Sequence, residues 1–155
     1  MSNKARSFFL TASILFLGST PAFGQAEDSY DVRALRLESH WGRFQIVRGA
    51  DGPIVGTAGV FRTADVEKIV AGSARAETEA KIFKASHRSG AIASTLGVLT
   101  FAGGLIASTN NSNSAATPIL MIGGLGGVVW GARRLDSAYS SLSRAVWWYN
   151  RDIRN

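Results

Sequence analysis

Hydrophobic and polar positions divide the chain sharply, with one long uncharged stretch between two segments of mixed pattern. Ser89–Ala132 spans 44 residues without a single Asp, Glu, Lys, Arg or His, although 18% of the chain is charged. Two apolar runs lie within it, Gly90–Ser108 and Ala115–Ala132, and as helices they would be about 29 Å and about 27 Å long, close to the ~30 Å hydrocarbon core of a bilayer. The pattern predicts two membrane-spanning helices, joined by a polar turn at Thr109–Ser114.

Both apolar runs are rich in Gly, Ala, Ser and Thr rather than Leu, which favours close contact between helices. The second run repeats glycine every four residues, and small residues of the first run recur at a spacing of three or four. We expect six of these residues to form the packing faces: Gly97, Thr100, Gly104, Gly123, Gly127 and Gly131. The alternative is a Gly-rich hairpin buried in a water-soluble protein, for which the rest of the chain looks too short and too polar.

The segment before the hairpin alternates apolar and polar residues with period two, as strands do. Leu35–Glu38 and Phe44–Ile46 both show this alternation, and Ser39–Gly42 between them is typical of a hairpin turn. Ala50–Pro53 is a second turn signal, and Ile54–Val55 begins a third short strand. A small three-stranded meander is therefore predicted, and it must pack on something to be stable.

Helical patterns follow the meander and flank the uncharged stretch. Thr63 is a candidate N-cap for a short helix. Gly72-Ser73 is expected to end this helix and to cap the next one. With a turn centred near residue 112, residue i of the first long helix faces residue 224 − i of the second, so Leu142 would lie opposite Ile82 or Phe83. The spans are expected to continue outside the bilayer as one antiparallel pair that carries the β unit. An aromatic group near the end of the chain is expected to pack on that unit or on a partner: Trp147, Trp148 and Tyr149.

The N-terminus has the three parts of a secretory signal peptide. Lys4 and Arg6 precede the apolar Phe8–Leu17, and a small-residue region ends at Ala26. Cleavage after Ala26 is the favoured interpretation, and an uncleaved signal anchor is the alternative. The predicted domains are a signal peptide at 1–26, a β-rich extracytoplasmic head with a short helix at 27–72, and a helical hairpin with a C-terminal amphipathic helix at 73–155. The fold class is a mainly α membrane protein, in which a long two-helix transmembrane hairpin carries a small α+β head.

Composition and charge exclude several classes of function. The net charge is +6, and it falls to +4 when Lys4 and Arg6 leave with the signal peptide, which does not indicate nucleic-acid binding. The chain has no cysteine, so disulfides, thiolate chemistry and a lipoprotein anchor are excluded. His40 and His87 are the only histidines, and neither has carboxylates at metal-ligand spacing. No catalytic motif is present, so no enzyme activity, cofactor or metal is predicted.

Basic residues lie at both ends of the uncharged stretch, and on a hairpin they would meet at one membrane surface. This group, called the basic collar, is expected to hold lipid phosphates or simply to anchor the helices: Lys81, Lys84, Arg88, Arg133 and Arg134. The positive-inside rule would place the collar in the cytoplasm, whereas a cleaved signal peptide places it outside. The signal pattern is the more specific of the two, so the head and the C-terminus are predicted to be extracytoplasmic. An outer-membrane or periplasmic address would also remove the conflict.

The layout resembles a family of uncharacterised bacterial envelope proteins. These combine a signal peptide, a short β-rich segment, an Ala-containing helix, a Gly-rich two-span hairpin and a C-terminal helix ending in a motif like A-V-x-x-Y-N. Here the tail is Ala145-Val146-Trp147-Trp148-Tyr149-Asn150, and the resemblance covers about residues 60–150. It implies a bacterial source and no particular activity. The repeated Gly-x-x-x-Gly is also similar to that of glycine-zipper envelope proteins.

Three functional hypotheses follow. The first is a non-enzymatic integral envelope protein that acts through lipid or protein contacts. The second is a self-assembling pore or membrane-perturbing protein held together by its glycine faces, which the absence of intramembrane charge weakens. The third is an accessory subunit of a transport or secretion complex. The expected partners are membrane lipid and either a second copy or a membrane-complex subunit.

Overall fold

The computed structural model describes residues 30–41, 43–110 and 115–155, so the predicted signal peptide and most of the predicted connector lie outside the described residues. The described chain is mostly helical with one small antiparallel sheet. Its elements in chain order are β1 Leu35–His40, β2 Arg43–Arg48, β3 Ile54–Ala58, α1 Val66–Ile69, α2 Ala74–Asn110 and α3 Ala116–Asp152.

The sheet is the predicted three-stranded meander, with the order β1-β2-β3 and both pairings antiparallel. Leu35 lies opposite Arg48, and His40 lies opposite Arg43 at the hairpin end. Gly56 allows α1 to approach β3, because a Cβ there would lie 2.6 Å from Cδ1 of Ile69. The short helix thus packs on the β3 side of one face of the meander.

The connection from the sheet to α2 differs from the prediction in one residue. The N-cap of α1 is Asp65 rather than Thr63, because Thr63 forms an antiparallel bridge with Ala58. Gly72 then reverses the chain with a φ of +98°, which a side chain would strain. Ser73 caps α2 as expected: its Oγ accepts a hydrogen bond from the Ala76 amide at 3.2 Å.

The two long helices form an antiparallel pair in the predicted register. Arg144 Nε donates to Glu79 Oε2 at 3.0 Å, and the Ser73 hydroxyl donates to Asp152 Oδ2 at 2.5 Å. Both pairs lie within one residue of the relation 224 − i. Since the helix rise is constant, a turn placed correctly at one end fixes the facing residues along the whole pair.

The hydrophobic core lies between the head and the charged half of the helix pair. The sheet and α1 cover α2 and α3 near their outer ends. The largest fully buried apolar side chains there are Phe83, Ile46 and Leu142, and each is at most 1% exposed. The buried apolar cluster is shared by all these elements: Leu35, Ile46, Ala58, Val66, Val70, Ala76, Ala80, Phe83, Ala138, Leu142, Ala145 and Val146.

Length and composition support one of the two predicted membrane spans. Among the described residues one helix, Ala74–Thr109, is long and apolar enough to cross a membrane by length and composition, and 17% of its most apolar window is buried. The second long helix, α3, is not identified as a span. Its residues 123–131 include five glycines, which bring no side-chain area to transfer into lipid.

Candidate membrane and head-docking surfaces

Glycines bring the two long helices into backbone contact along the uncharged segment. A Cβ at Gly97 would lie 2.5 Å from the Val128 amide nitrogen and 2.7 Å from the Gly124 carbonyl oxygen. A Cβ at Gly124 would in turn lie 2.5 Å from the Phe101 amide nitrogen. No side chain fits at these places, so the helices approach as closely as their backbones allow.

The buried positions of this interface repeat every seven residues on both helices. A strict seven-residue repeat is the geometry of a left-handed supercoil, in which one seam keeps facing the partner. We call these ten positions the seam. On α2 they are Ala76, Phe83, Gly90, Gly97 and Gly104, and on α3 they are Thr117, Gly124, Gly131, Ala138 and Ala145.

Most of the six predicted packing residues lie at or beside the seam. Gly97, Gly104 and Gly131 belong to it, and a Cβ at Gly127 would lie 3.0 Å from the Cα of Gly97. Thr100 is partly buried beside it.

Gly123 is the exception, and its expected role is corrected. It is exposed, and a Cβ there would meet nothing within 4 Å, because the repeat of seven selects the neighbouring Gly124. Gly90 is also buried in the seam, although it was not among the six predicted residues. Both missed glycines were detectable from the seven-residue recurrence of small residues along each helix.

The large apolar side chains of the uncharged segment point away from the seam. On α2, Leu99 and Ile106 are each 63% exposed, and on α3 Ile119 and Ile122 are 70% and 72% exposed. Small residues therefore fill the interior of the pair while branched apolar ones cover its outside. This arrangement is the inverse of a water-soluble helical hairpin.

The end of α3 is joined to the head through Asn150. Its Nδ2 donates to the Leu35 carbonyl and its Oδ1 accepts from the Leu35 amide, both at 2.7 Å. The side-chain amide thus satisfies both peptide groups of a residue on the edge strand β1. Of the tail motif quoted above, Ala145 and Val146 are buried and Tyr149 packs on the core. No sequence pattern indicates the role of Asn150 beyond its place in that motif.

The two tryptophans of the tail have different environments. Trp148 packs on the core, and the guanidinium groups of Arg75 and Arg151 lie 4.6 Å and 4.9 Å from its ring centroid. Trp147 is 56% exposed and meets Trp148 edge-on, with ring centroids 4.6 Å apart. The expected packing on the head therefore involves Trp148 and Tyr149, whereas Trp147 lies mainly at the surface.

The residues of the basic collar are all exposed, and they lie where the uncharged segment meets the head. Lys84 Nζ lies 3.1 Å from Glu67 Oε1, and this hydrogen-bonded ion pair raises the pKa of Lys84. Lys84 thereby connects α1 to the helix pair. The guanidinium of Arg134 lies 5.0 Å from the ring centroid of Trp130. Within the described ranges, no salt bridge involves Lys81, Arg88 or Arg133.

His87 ties the head to the helix pair at the level of the collar. It is only 6% exposed, and its Nε2–H donates to the Gly59 carbonyl at 2.7 Å. Its ring also contacts Phe83 and the edge of Tyr139. Burial raises the pKa of the Tyr139 phenol. The other histidine, His40, is exposed at the end of β1, and the described residues contain no cluster of three potential metal ligands.

Comparisons with protein-family models, with curated proteins and with solved structures found no match.

Proposed function

We propose that the chain is a non-enzymatic integral protein of the bacterial envelope. In this proposal α2 and α3 insert together as a two-span hairpin, and the head docks on the ends of the same helices outside the bilayer. The protein acts through contacts with lipid or with other envelope proteins. The head and the outer ends of the two helices share one core, so the head is held at a fixed position relative to the helix pair.

One observation carries the proposal: the inside-out distribution of apolar side chains in the uncharged segment. Leu99 and Ile122 lie near the middle of the two runs, and each is more than 60% exposed while glycines fill the seam. In water, the exposed branched side chains of both helices would form an extended apolar surface. Soluble monomers rarely expose a contiguous apolar patch larger than a few hundred Å². Lipid tails solvate such a surface at no cost, and small residues are what helix pairs in lipid use to pack.

The charged substitution of these outward residues gives a sharp test. A lysine at an exposed site is tolerated in water, whereas at the centre of a span it costs about 2.5–3.5 kcal/mol on insertion scales. Leu99→Lys tests α2, and Ile122→Lys tests α3 separately. Ile54→Lys, on the head, is the matched control, because Ile54 is 54% exposed and outside the uncharged segment.

The readout is the fraction of chain retained in membranes after an alkaline carbonate wash. We expect wild type and Ile54→Lys to remain in the membrane, and both span variants to be depleted. A wild-type chain that is monodisperse in buffer without detergent would overturn the proposal. Depletion by Leu99→Lys alone would reduce the hairpin to a single span.

The orientation can be tested with reporter fusions at Asn111 and after Asn155. The proposal places Asn111 in the cytoplasm and the C-terminus outside, because two spans after an exported head must return the chain to the same side. A cytoplasmic C-terminus would contradict this topology.

The pore hypothesis has less support than the anchor. Within the uncharged segment, the closest approaches are at Gly97, Gly104, Gly124 and Gly131, and all four pack within one chain rather than on a free surface. Self-assembly would have to use other positions. Conductance measured in liposomes distinguishes a pore from the proposed anchor, and recovery of a partner in mild detergent distinguishes an accessory subunit.

A further inference from the structure

Two turns of the head present large apolar side chains to solvent. Trp41 is 92% exposed and has a φ of +47°, a conformation that bulky residues rarely adopt. Phe61 is 82% exposed in a tight turn that the Gly59 amide closes by donating to the Arg62 carbonyl at 2.8 Å. Gly, Asn, Asp and Ser normally occupy such turn positions. Neither aromatic ring contributes to the buried core, so neither is explained by folding.

The two turns lie side by side. Trp41, Val60 and Phe61 line one groove together with Arg43 and Arg62. The Arg43 side chain passes close to the second turn, since its Cγ lies 3.7 Å from where a Cβ of Gly59 would be. We call these five residues the head tip: Trp41, Arg43, Val60, Phe61 and Arg62.

The head tip faces the same end of the molecule as the basic collar. The hydrogen bond from His87 to Gly59 places the second turn beside Arg88, the last charged residue before the uncharged segment. The meander runs in the same direction. Leu35, at the start of β1, is bonded to Asn150, whereas Phe44, near the hairpin turn, contacts the ring of Tyr139 at a centroid distance of 4.7 Å.

These contacts fix how far the hairpin reaches. Between Asn150 and Tyr139 the sheet advances 11 helical residues, about 16 Å, toward the uncharged segment. Trp41 lies three residues beyond Phe44, where the hairpin continues toward Arg134 in the collar. The head tip therefore lies at the level at which the proposed membrane surface begins.

The charge of the head tip selects the partner. Arg43 and Arg62 are exposed, and no salt bridge is formed by either among the described residues. The acidic side chains of the nearby helix α1 are already paired, Asp65 with Lys68 and Glu67 with Lys84. Two arginines beside two exposed aromatic rings match a surface with an apolar layer under an anionic layer.

We propose that the head tip inserts into the headgroup region of the same bilayer that the helix pair crosses, and that Arg43 and Arg62 bind the phosphates of anionic lipids there. Aromatic rings such as Trp41 favour this interface, and guanidinium groups bind phosphate with two parallel hydrogen bonds. The inference rests on the proposed function, because it needs the helix pair to be in the membrane. It makes the head a second, composition-sensitive contact with lipid.

The absence of cysteine allows a direct test with single reporter cysteines. Trp41→Cys and Phe61→Cys, each labelled with an environment-sensitive dye, report on the head tip while the other aromatic ring stays in place. Leu99→Cys reports on the span. Trp147→Cys is the matched control, because Trp147 is an exposed tryptophan near the outer end of α3, away from the collar and the uncharged segment. The full chain is reconstituted in nanodiscs of zwitterionic lipid, with or without phosphatidylglycerol, and with quenchers attached to the lipids near the headgroup or deep in the tails.

We expect shallow quenchers to affect positions 41 and 61, deep quenchers to affect position 99, and neither to affect position 147. Phosphatidylglycerol should raise the equilibrium constant for insertion of the head tip by about five-fold for each arginine engaged. Arg43→Gln with Arg62→Gln should remove this dependence on lipid charge while position 99 stays quenched.

The outcomes separate the two proposals. Quenching at 99 with dyes at 41 and 61 remaining in water would overturn the inference and leave the membrane anchor intact. The inference is also overturned, with the anchor intact, if quenching at 41 and 61 does not change with lipid charge or with the two arginine substitutions. Absence of quenching at 99 would overturn the proposed function itself.

Discussion

The seam gives the most discriminating prediction about stability, because the uncharged segment also contains exposed glycines that lie outside it. Gly97→Ala places a Cβ 2.5 Å from the Val128 amide nitrogen, whereas Gly123→Ala and Gly103→Ala place one where nothing lies within 4 Å. All three changes add the same methyl group to a helix in the same uncharged segment. Only the first adds it to the interface between helices.

The magnitude follows from the distances. Ordinary contacts of a Cβ begin at 3.4 Å, so at Gly97 the helices must separate by almost 1 Å over several backbone atoms that cannot rotate away. Overpacking of this kind typically costs about 1–3 kcal/mol. At Gly123 and Gly103 the change should instead stabilise the helix by up to about 1 kcal/mol, because alanine has the higher helix propensity. We therefore expect Gly97→Ala to be less stable than either control by about 2–3 kcal/mol, or about thirty-fold or more in the equilibrium constant.

Reversible unfolding of the purified chain in mild detergent by increasing fractions of dodecyl sulfate provides the assay. Separation of the helices is followed by energy transfer between dyes on cysteines introduced near the outer ends of α2 and α3. Equal midpoints for Gly97→Ala and Gly123→Ala would refute the seam, since a helix pair without backbone contact at Gly97 would accommodate both methyl groups.

Two further predictions concern the head. Asn150→Ala removes both hydrogen bonds to Leu35 and leaves its part-buried peptide groups unpaired, which should cost about 2–3 kcal/mol. Hydrogen exchange of the Leu35 amide should then accelerate by about ten-fold or more, whereas Asn155→Ala, at an exposed asparagine, should leave it unchanged. An equal exchange rate in both variants would refute the role of Asn150. Stability should also fall as the pH rises above about 10, because the pKa values of Lys84 and Tyr139 are raised in the folded state and the unfolded chain therefore loses its protons first. Unfolding followed by near-ultraviolet circular dichroism at several pH values in this range measures the change in stability. A stability that does not change with pH would contradict the prediction, and Tyr139→Phe should weaken the pH dependence.

The parts of the fold that depend on local periodicity were predictable from sequence. Alternation in Leu35–Glu38 indicates a strand, and Ser73 indicates a helix start, because both signals depend on neighbouring residues alone. The helix register was predictable as well, since a short connector between two long helices leaves one antiparallel alignment.

The composition of the seam was not predictable from one helix by itself. The glycines of α3 offer spacings of three, four and seven at once: Gly123, Gly124, Gly126, Gly127 and Gly131. Only the position of the partner helix decides which of them is buried. A repeat of four was the obvious choice for lipid-embedded helices, and the seven-residue repeat of the charged half continues into the uncharged half instead.

Contacts between distant residues were equally invisible to sequence patterns. Asn150 bonds a residue 115 positions earlier, and Lys84 pairs with a carboxylate 17 positions before it. The sequence indicates the turn at Ser39–Gly42. The exposure of Trp41 and its position beside Phe61, however, depend on how β1, β2 and β3 pair in the sheet.

The dependence of the sheet on α3 has a consequence for the way the protein is made. The strands leave the ribosome early, yet Ala138, Leu142 and Val146, which cover their apolar face, are synthesised about a hundred residues later. Until α3 is synthesised, part of the apolar face of the sheet has nothing to pack against, and exposed apolar strands of this kind are prone to aggregate. A chain that ends before α3 would keep this face uncovered.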